Sequence, residues 1–289
     1  MIPLSQWPTE QRRNIIGVFT DIDDTLTTHG SITSDALQAL LDLKAAGLHV
    51  IPITGRPVGW AESFAQTWPI DALVAENGGV ALVTEKQAKN STEIGIKPAY
   101  LLTKQLSKAY QNNALIRAEN SAKMVKIATL VTSQLAGVEV SKDSAGRETD
   151  LAFDYNEFAN LPPETVQQVV ALLQSQGMQT TISSIHIHGC FGHFDKWTGA
   201  QWIVRELFQR DLAVEIDKWV FVGDSGNDQA MFQHFTHSVG VANIRRFESQ
   251  LTHLPRYITP SERGAGFAEV AKVLLDSKSI KSMKTSLSI

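Results

Sequence analysis

The sequence predicts an α/β protein with a parallel sheet and a second, α+β unit inserted into it. Apolar, β-rich runs alternate with helical patterns over residues 1–83, the alternation stops between residues 84 and 190, and it then returns. Buried parallel strands read as continuous apolar runs, and alternating strands and helices are typical of α/β sheets. With 289 residues the chain is long enough for two compact units.

The first 83 residues contain three predicted strands separated by helices. The strands are expected at 15–20, 48–54 and 72–77, where apolar residues are bounded by polar ones. The first helix is expected to be capped by Thr33 or Ser34 and to end at Gly47. Its predicted apolar stripe consists of Leu37, Leu40, Leu41 and Ala45. This spacing favours parallel strands joined by right-handed crossovers.

The segment after Val83 has a different pattern. It is polar at first and then contains β-like runs at 138–141 and 149–157, a helix at 162–177 and an alternating run at 180–189 that is typical of one half-exposed strand. An amphipathic helix and a buried strand, KWVFV, follow it. The predicted division is a discontinuous core of 1–83 and 191–276, an inserted unit of 84–190 and a disordered tail of 277–289.

Composition limits the functions that the chain can have. It carries 26 basic and 30 acidic side chains, a net charge of -4, which indicates neither nucleic acid nor an anionic membrane as a partner. The single cysteine, Cys190, cannot form an internal disulfide and fits a reducing compartment. No apolar run approaches the roughly 18 residues of a membrane span, and the first residues lack signal-peptide organisation. We expect a cytoplasmic protein and leave its oligomeric state open.

Carboxylates follow two of the buried strands. Asp21 and Asp23 leave the same side of an extended chain, roughly 7 Å apart, and Asp224 and Asp228 follow KWVFV. Residues at the carboxyl ends of parallel strands face the ligand crevice. Like charges at 4 Å repel by about 4 kcal/mol at an effective dielectric near 20, so the acids need a counter-charge. Oxygen ligands without histidine or cysteine favour Mg²⁺.

Other interpretations of these acids are weaker. An EF-hand loop needs glycine at its sixth position and glutamate at its twelfth, where this chain has Leu26 and Ile32. Acids at strand ends are also often plain surface residues, but here two such clusters occur.

Two further motifs fit a phosphate-binding crevice. Thr54, Gly55 and Arg56 follow the second strand, where a hydroxyl and backbone N–H groups suit phosphate oxygens, although such a tripeptide alone is more often a turn. Lys196 precedes a helix and offers an ammonium group for phosphate and carboxylates. A lone lysine is usually a surface residue, so this assignment rests on the order of the motifs along the chain.

That order, DIDDT, TGR, Lys196 and GDSGND, resembles the haloacid dehalogenase (HAD) superfamily of phosphotransferases. The insertion resembles the α+β cap of its class II, type B members, and AENGG with Asn77 is similar to a motif that they carry after the third strand. Among these members are the Cof-like, sucrose-phosphatase and mannosyl-3-phosphoglycerate-phosphatase families. The resemblance implies a Rossmann-like HAD core that closes against an inserted cap.

The resemblance also implies roles for the motif residues. Asp21 is expected to attack phosphorus and form an aspartyl-phosphate, while Asp23 acts as general acid and base. Mg²⁺ would be held by Asp21, the backbone carbonyl of Asp23 and Asp224, with Asp228 in support. Thr54 and Lys196 would hold the phosphoryl oxygens. The full set of expected substrate-binding residues is Thr54, Gly55, Arg56, Asn77, Arg147 and Lys196.

The function expected from these roles is Mg²⁺-dependent hydrolysis of a small phosphorylated metabolite of the sugar or polyol phosphate class. The alternatives are a phosphomannomutase-like phosphomutase and a non-catalytic sugar-phosphate-binding protein. In the cap, Arg147 is either a contact to a substrate carboxylate or second phosphate, or surface charge. His186 and His188 are either a metal-binding pair or part of a solvated or substrate-facing strand edge.

Overall fold

The computed structural model describes residues 1–84 and 105–286, with side chains described as far as residue 278. Numbered along the chain, its strands are β1 (Ile2–Pro3), β2 (Gly17–Thr20), β3 (Thr27–Thr28), β4 (Ser31–Ile32), β5 (His49–Pro52), β6 (Ala72–Ala75), β7 (Val80–Thr84), β8 (Leu106–Tyr110), β9 (Glu139–Val140), β10 (Asp150–Asp154), β11 (Gln179–Ile182), β12 (His186–Cys190), β13 (Trp219–Gly223), β14 (His237–Gly240) and β15 (Tyr257–Ile258). Its helices are α1 (Thr9–Arg13), α2 (Ser34–Ala45), α3 (Val58–Thr67), α4 (Ala114–Gln134), α5 (Pro163–Ser175), α6 (Lys196–Phe208), α7 (Gln229–His234) and α8 (Arg263–Ser286).

A six-stranded sheet with the order β1-β15-β14-β13-β2-β5 forms the centre of the molecule. Every neighbouring pair in it is parallel, which confirms the predicted α/β class. Strands β2 and β13 are buried along their whole length because helices cover both faces of the sheet. A bridge between Ile53 and Val74 continues this sheet to β6, which also pairs with β7 in a three-stranded antiparallel sheet with β8.

The apolar stripe of α2 differs from the predicted one. The buried residues are Ala36, Ala39, Leu40 and Leu43, whereas Leu41 is 42% exposed. Helix α8 lies close to α2 at Ala36. A methyl group on Gly264 of α8 would lie 3.3 Å from the Ala36 Cβ. Small alanines weigh little in a hydrophobic pattern, yet they set which face of this helix is buried.

The segment between Tyr110 and Cys190 contains a second sheet, with the order β11-β12-β10-β9 and antiparallel pairing throughout. Its apolar core includes Val131 of α4, Phe153 of β10 and Leu173 of α5. The described part of the insertion, which is expected from residue 84, begins with a strand, β8, that still pairs with β7. The part of it at 85–104 lies outside the described residues.

The run at 180–189, predicted as one half-exposed strand, is a hairpin of two strands. The chain turns at Ser183, whose N–H donates to the His186 carbonyl oxygen (2.9 Å) and whose Oγ accepts from the His186 N–H (3.0 Å). The second strand, β12, is buried along its whole length. The alternating pattern therefore spans a turn, because serine supplied local hydrogen bonds that hydrophobicity does not register.

The end of the chain also differs from the prediction of a disordered tail from residue 277. Helix α8 continues to Ser286, and Ser277 is buried against α1, where its carbonyl oxygen accepts from Arg13 Nε (3.3 Å). The segment 277–286 contains no glycine or proline, and its lysine and methionine residues favour a helix. Within the described residues, no helix has the length and apolar character needed to cross a bilayer.

The contact between Gly17 and Trp219 is a sensitive point of the central sheet. The two residues are cross-strand partners, and a methyl group on Gly17 would lie 2.2 Å from the indole ring. We expect Gly17→Ala to lower the free energy of unfolding by about 1–3 kcal/mol, measured by urea denaturation, because overpacking forces the ring to move. Trp219→Phe removes the crowding atoms. In the Trp219→Phe background we therefore expect Gly17→Ala to lower the free energy of unfolding by less than it does in the wild type. Equal costs in both backgrounds would contradict this account.

Candidate active site

The predicted site residues meet at the carboxyl ends of the central strands. Asp21 follows β2 and its N–H donates to the Val222 carbonyl oxygen of β13 (2.8 Å). Thr54 follows β5 and its N–H donates to the Val74 carbonyl oxygen (2.9 Å). Asp224 follows β13 directly. The parallel register therefore brings residues from distant parts of the sequence to one edge of the sheet.

Lys196 is fully buried between two of these carboxylates. Its Nζ donates to Asp21 Oδ1 (2.5 Å) and to Asp228 Oδ1 (2.7 Å). Helix α6 begins at Lys196, and a capping box between Asp195 and Thr198 fixes that beginning. Burial opposes the ammonium charge, but the two carboxylates hold the pKa of Lys196 above its usual value.

The loop after β13 is organised around Asp228. Its Oδ2 accepts hydrogen bonds from the N–H groups of Asp224 (2.8 Å) and Ser225 (3.1 Å), while its Oδ1 accepts from Lys196. Asp228 thus positions both the loop and the lysine. Asp224 is oriented in turn by Asn243, whose Nδ2 donates to its Oδ2 (2.9 Å). Sequence reasoning missed Asn243, although it follows β14 and the same strand-end argument applies to it.

Three buried carboxylates form a group that fits a divalent cation. Asp21, Asp224 and Asp228 each offer an oxygen within 4.8 Å of the others. Burial raises the pKa of Asp21 to about 7, with Asp228 and Asp23 adding to the effect and Lys196 opposing it. Burial and the neighbouring carboxylates also hold the pKa of Asp224 well above its usual value. One ammonium group cannot balance three carboxylates, and their hard oxygen donors suit Mg²⁺.

Asp23 and Asp24 diverge from this group. Asp24 has a left-handed backbone (φ 56°), and its Oδ1 lies 2.8 Å from Arg263 Nε, so its side chain pairs away from the cluster. Both oxygens of Asp23 accept from Arg56, through Nε (3.0 Å) and Nη2 (3.1 Å). The side chain of Asp23, in contrast to that of Asp21, is therefore not among the grouped metal-binding oxygens.

Arg56 joins the core to the inserted unit. Besides Asp23, its guanidinium donates to Glu157 Oε1 (2.8 Å) and Asp143 Oδ2 (3.3 Å), and it lies over the Trp60 ring (5.2 Å). We expected it to contact substrate phosphate, whereas here its donors bind protein carboxylates. Asp143 and Glu157 were not singled out from the sequence, because nothing in it pairs them with a residue about 90–100 positions away.

A narrow cleft separates the two units at this point. The core lines one side of the cleft with Asp21, Asp23, Thr54, Gly55, Arg56, Ser225 and Asn227. The insertion lines the other side with Ser183, Ser184, Ile185, His186 and His188. The volume of the cleft is about 10 Å³, enough for about one water molecule. A cleft of this volume is too small to hold a phosphate group.

Arg147 has a different environment from the expected one. Its side chain is buried, and Nη1 donates to the Gly55 carbonyl oxygen (2.9 Å) and Asp150 Oδ1 (2.8 Å), while Nη2 donates to Asp143 Oδ1 (3.3 Å). It is absent from the lining of the cleft. Arg147 therefore docks the inserted unit on the backbone of the core, rather than offering its charge to a substrate group in this arrangement.

The histidines of β12 both pair with carboxylates. His186 Nε2 lies 2.9 Å from Glu157 Oε2, and His188 Nδ1 lies 3.0 Å from Asp150 Oδ2. Among the described residues, the grouped metal-binding oxygens and nitrogens include neither histidine. Burial lowers the pKa of His188 to about 4, although Asp150 opposes the shift, so the imidazole is neutral at pH 7.

Glu76 forms a second buried connection that the sequence did not reveal. Its carboxylate accepts from the N–H groups of Val58 (3.0 Å), Glu148 (3.0 Å), Thr149 (2.5 Å) and Asp150 (3.3 Å), and from the Thr149 hydroxyl (2.6 Å). Burial raises the pKa of Glu76 to about 7, with Asp150 adding and the hydrogen bonds from Thr149 and Val58 opposing. One core side chain thereby binds the backbone at the start of β10.

Comparison with known proteins finds relatives that match most of the chain. Residues 18–270 match the sequence profile of the haloacid dehalogenase-like hydrolases. The phosphoglycolate phosphatase of Methanothermobacter thermautotrophicus is 22% identical over 256 residues, which cover 88% of this chain and 96% of that protein. A Thermoplasma acidophilum structure superposes with a TM-score of 0.64 at 18% identity (90% of this chain, 98% of that one). The sucrose-phosphatase of Synechocystis sp. PCC6803, in complex with sucrose and phosphate, gives 0.59 at 15% identity (91% and 98%).

The hydrogen bonds that the Glu76 carboxylate accepts predict a large loss of stability when this residue is replaced. In Glu76→Gln the amide group would face N–H donors that now bind a carboxylate oxygen, so at least one buried donor loses its acceptor. We expect the free energy of unfolding, measured by urea denaturation at pH 7, to fall by about 2–4 kcal/mol. The matched control is Glu62→Gln, an exposed partner of Lys108, for which we expect a change within about 0.5 kcal/mol. Similar small changes in both variants would contradict the proposed connection.

His188 predicts a pH dependence of stability. Its pKa is lowered in the folded state, so the unfolded chain binds a proton first as the pH falls, and stability is lost from pH 6.5 down to about 4. Asp150, Arg147 and His186 are the charged or titratable groups that act on it. We expect the difference in free energy of unfolding between wild type and His188→Asn to shrink by about 3 kcal/mol between pH 7 and 4. Stability curves that stay parallel would refute this.

Proposed function

We propose a substrate class for this chain, which belongs to the haloacid dehalogenase-like hydrolase family and is a phosphatase. The proposed reaction is hydrolysis of a small phosphorylated metabolite of the sugar or polyol phosphate class. The observation that carries the proposal is the position of Asp21. Its carboxylate lies at a strand end beside Lys196 and Asp224, with Asp23 two residues further on. This arrangement supplies a nucleophile, a counter-charge and a second carboxyl group within one cleft.

The first step of the proposed reaction is attack by Asp21. A carboxylate oxygen of Asp21 forms a bond to phosphorus while the bond from phosphorus to the leaving oxygen breaks, which gives an aspartyl-phosphate. Asp23 donates a proton to the leaving alkoxide. Lys196 and Thr54, at the same strand ends, are the proposed contacts for the phosphoryl oxygens.

The second step regenerates the carboxylate. Asp23, now ionised, accepts a proton from a water molecule whose oxygen forms a bond to phosphorus, and the bond between phosphorus and Asp21 breaks. Inorganic phosphate leaves and Asp23 is again protonated for the next cycle. Because Arg56 now binds both oxygens of Asp23, the proposal requires that this contact loosens when a substrate binds.

Asp21 and Asp224, supported by Asp228 and the backbone carbonyl of Asp23, are the proposed holders of a magnesium ion, which supplies positive charge between an anionic nucleophile and an anionic phosphate. Asp228 also has a structural role. Both of its oxygens already accept hydrogen bonds from the protein. Its main proposed contribution is to hold Lys196 and the loop that carries Asp224.

The inserted unit, proposed to be a cap between about residues 84 and 190 on a core of 1–83 and 191–276, would select the leaving group. A larger cavity of about 380 Å³ adjoins the cleft at Ser183 and Asn227. Its lining is mostly uncharged, with hydroxyl, amide and aromatic groups from Tyr155, Thr180, Thr181, Gln229, Phe247 and Gln250. Such a lining supports a sugar or polyol as the leaving group. The single buried cysteine supports a cytoplasmic location.

Replacement of the nucleophile tests the proposal. We expect Asp21→Asn to lower Mg²⁺-dependent phosphate release from p-nitrophenyl phosphate and from a panel of sugar and polyol phosphates by at least about 10³-fold, because an amide cannot form the covalent intermediate. The control is Asp24→Asn, which tolerates the left-handed backbone and is expected to keep its turnover. A folded, active Asp21→Asn enzyme would refute the assignment. Isomerisation of the substrate instead of phosphate release would indicate a phosphomutase.

A further inference from the structure

We propose that His188 and Asn77 form a subsite for one hydroxyl group of the leaving group, close to the scissile phosphate. The proposal deepens the proposed function and rests on it. His188 comes from the inserted unit and Asn77 from the core, and each carries a buried polar atom without a hydrogen-bond partner among the described residues: His188 Nε2 and Asn77 Nδ2. His188 is only 3% exposed and Asn77 only 5%.

A chain of hydrogen bonds fixes His188 Nε2 as an acceptor. Arg147 donates to Asp150 Oδ1 (2.8 Å), which keeps Asp150 ionised, and Asp150 Oδ2 faces His188 Nδ1 (3.0 Å). A carboxylate can only accept, so the imidazole proton is on Nδ1. The lone pair of Nε2 is then available, and His188 is one of the residues that line the cleft together with Asp21, Asp23 and Thr54.

A second chain fixes Asn77 Nδ2 as a donor. The Ser225 hydroxyl donates to Asn227 Oδ1 (3.1 Å), which leaves the Asn227 amide group to donate to Asn77 Oδ1 (3.1 Å). The Asn77 carbonyl oxygen is therefore engaged and its amide nitrogen is turned away from Asn227. The core thus presents a donor whose orientation is set by its neighbours.

Both unpartnered atoms face Gly55. A methyl group on the Gly55 Cα would lie 3.0 Å from His188 Nε2 and 3.2 Å from Asn77 Nδ2, so only glycine lets them come this close to the backbone beside Thr54. A side chain of any other residue would fill the place between them. The absence of a side chain at this position keeps one acceptor and one donor within reach of the same small ligand group.

An acceptor beside a donor matches the chemistry of a hydroxyl group. A hydroxyl can donate to the His188 lone pair and accept from the Asn77 amide at the same time. A carboxylate or phosphate oxygen would satisfy Asn77 but would oppose the lone pair of His188, and an ammonium group would do the reverse. Since a buried polar group without a partner carries a penalty, a ligand hydroxyl that pairs with both atoms gains that energy on binding.

The neighbouring histidine shows why the subsite is assigned to His188. His186 lies two residues earlier on β12 and is equally buried, but its Nε2 is already paired with Glu157. Its ring therefore has no free acceptor at the equivalent atom. The pair of histidines offers a matched comparison, since both line the cleft and only one has an unpartnered Nε2.

The test compares two substrates that differ by one hydroxyl group, glycerol 1-phosphate and 1,3-propanediol monophosphate, with p-nitrophenyl phosphate as a reference. We expect the wild-type enzyme to have a higher kcat/KM for glycerol 1-phosphate than for the propanediol ester. In His188→Asn, which can still donate to Asp150 but has no group at the Nε2 position, we expect this preference to fall roughly tenfold, the value of one neutral hydrogen bond. His188→Gln, whose amide reaches the Nε2 position, should restore part of it.

His186→Asn is the control variant and should leave the preference unchanged, even if it lowers both rates through the contact with Glu157. Thermal unfolding of each variant establishes that it is folded. If His188→Asn lowers kcat/KM equally for both esters, or if the wild type has no preference for the hydroxyl, the subsite is refuted while the phosphatase assignment stands. If the wild type releases phosphate from none of the three esters, both proposals fail.

Discussion

The buried ammonium group of Lys196 is the interaction on which the site depends. It binds Asp21 and Asp228 inside the protein, where removal of either sign of charge would leave the other without compensation. Because Asp21 follows β2, Asp228 follows β13 and Lys196 begins α6, this one contact joins three elements that are far apart in sequence. The lysine does not balance all of the carboxylates, however, and a divalent cation would compensate the remaining negative charge.

The second constraint is the way in which the two units are held together. Core groups bind the insertion at several places, and three of these are the contacts of Arg56 with Asp143 and Glu157, of the Glu76 carboxylate with the backbone at 148–150, and of the Gly55 carbonyl oxygen with Arg147. Each of these lies beside a motif residue rather than at the edge of the interface. Separation of the units would therefore change the surroundings of Asp23 and Gly55 directly.

The sequence predicted the parts of the site that follow from a local rule. Polar residues at the ends of buried strands identified Asp21, Thr54 and Asp224, since parallel strands place their carboxyl ends at one edge. The same rule would have found Asn243 if the place of β14 next to β13 had been known. The partners of Arg56 and Glu76 could not be predicted, because those contacts form only when two units pack, and no pattern in the chain relates residues so far apart.

Two errors in the fold prediction have the same physical origin. The hydrophobic pattern of α2 favours a stripe of mostly leucines, whereas close packing of α8 selects the face with the alanines. The alternating pattern at 180–189 predicts one strand, whereas hydrogen bonds of Ser183 turn the chain within it. In both cases a specific contact in the folded chain outweighed the average hydrophobicity from which the prediction was made.

The binding of Mg²⁺ by the acidic group is the central claim, and its linkage to folding tests it most directly. The free energy of unfolding, measured by urea denaturation at pH 7 over a range of Mg²⁺ concentrations, should rise for the wild type by about 1.4 kcal/mol per tenfold increase above the dissociation constant. For Asp224→Asn the curve should be nearly flat, because one of the grouped carboxylates is lost. A wild-type curve that does not respond to Mg²⁺, or an equal response in the variant, would contradict the account.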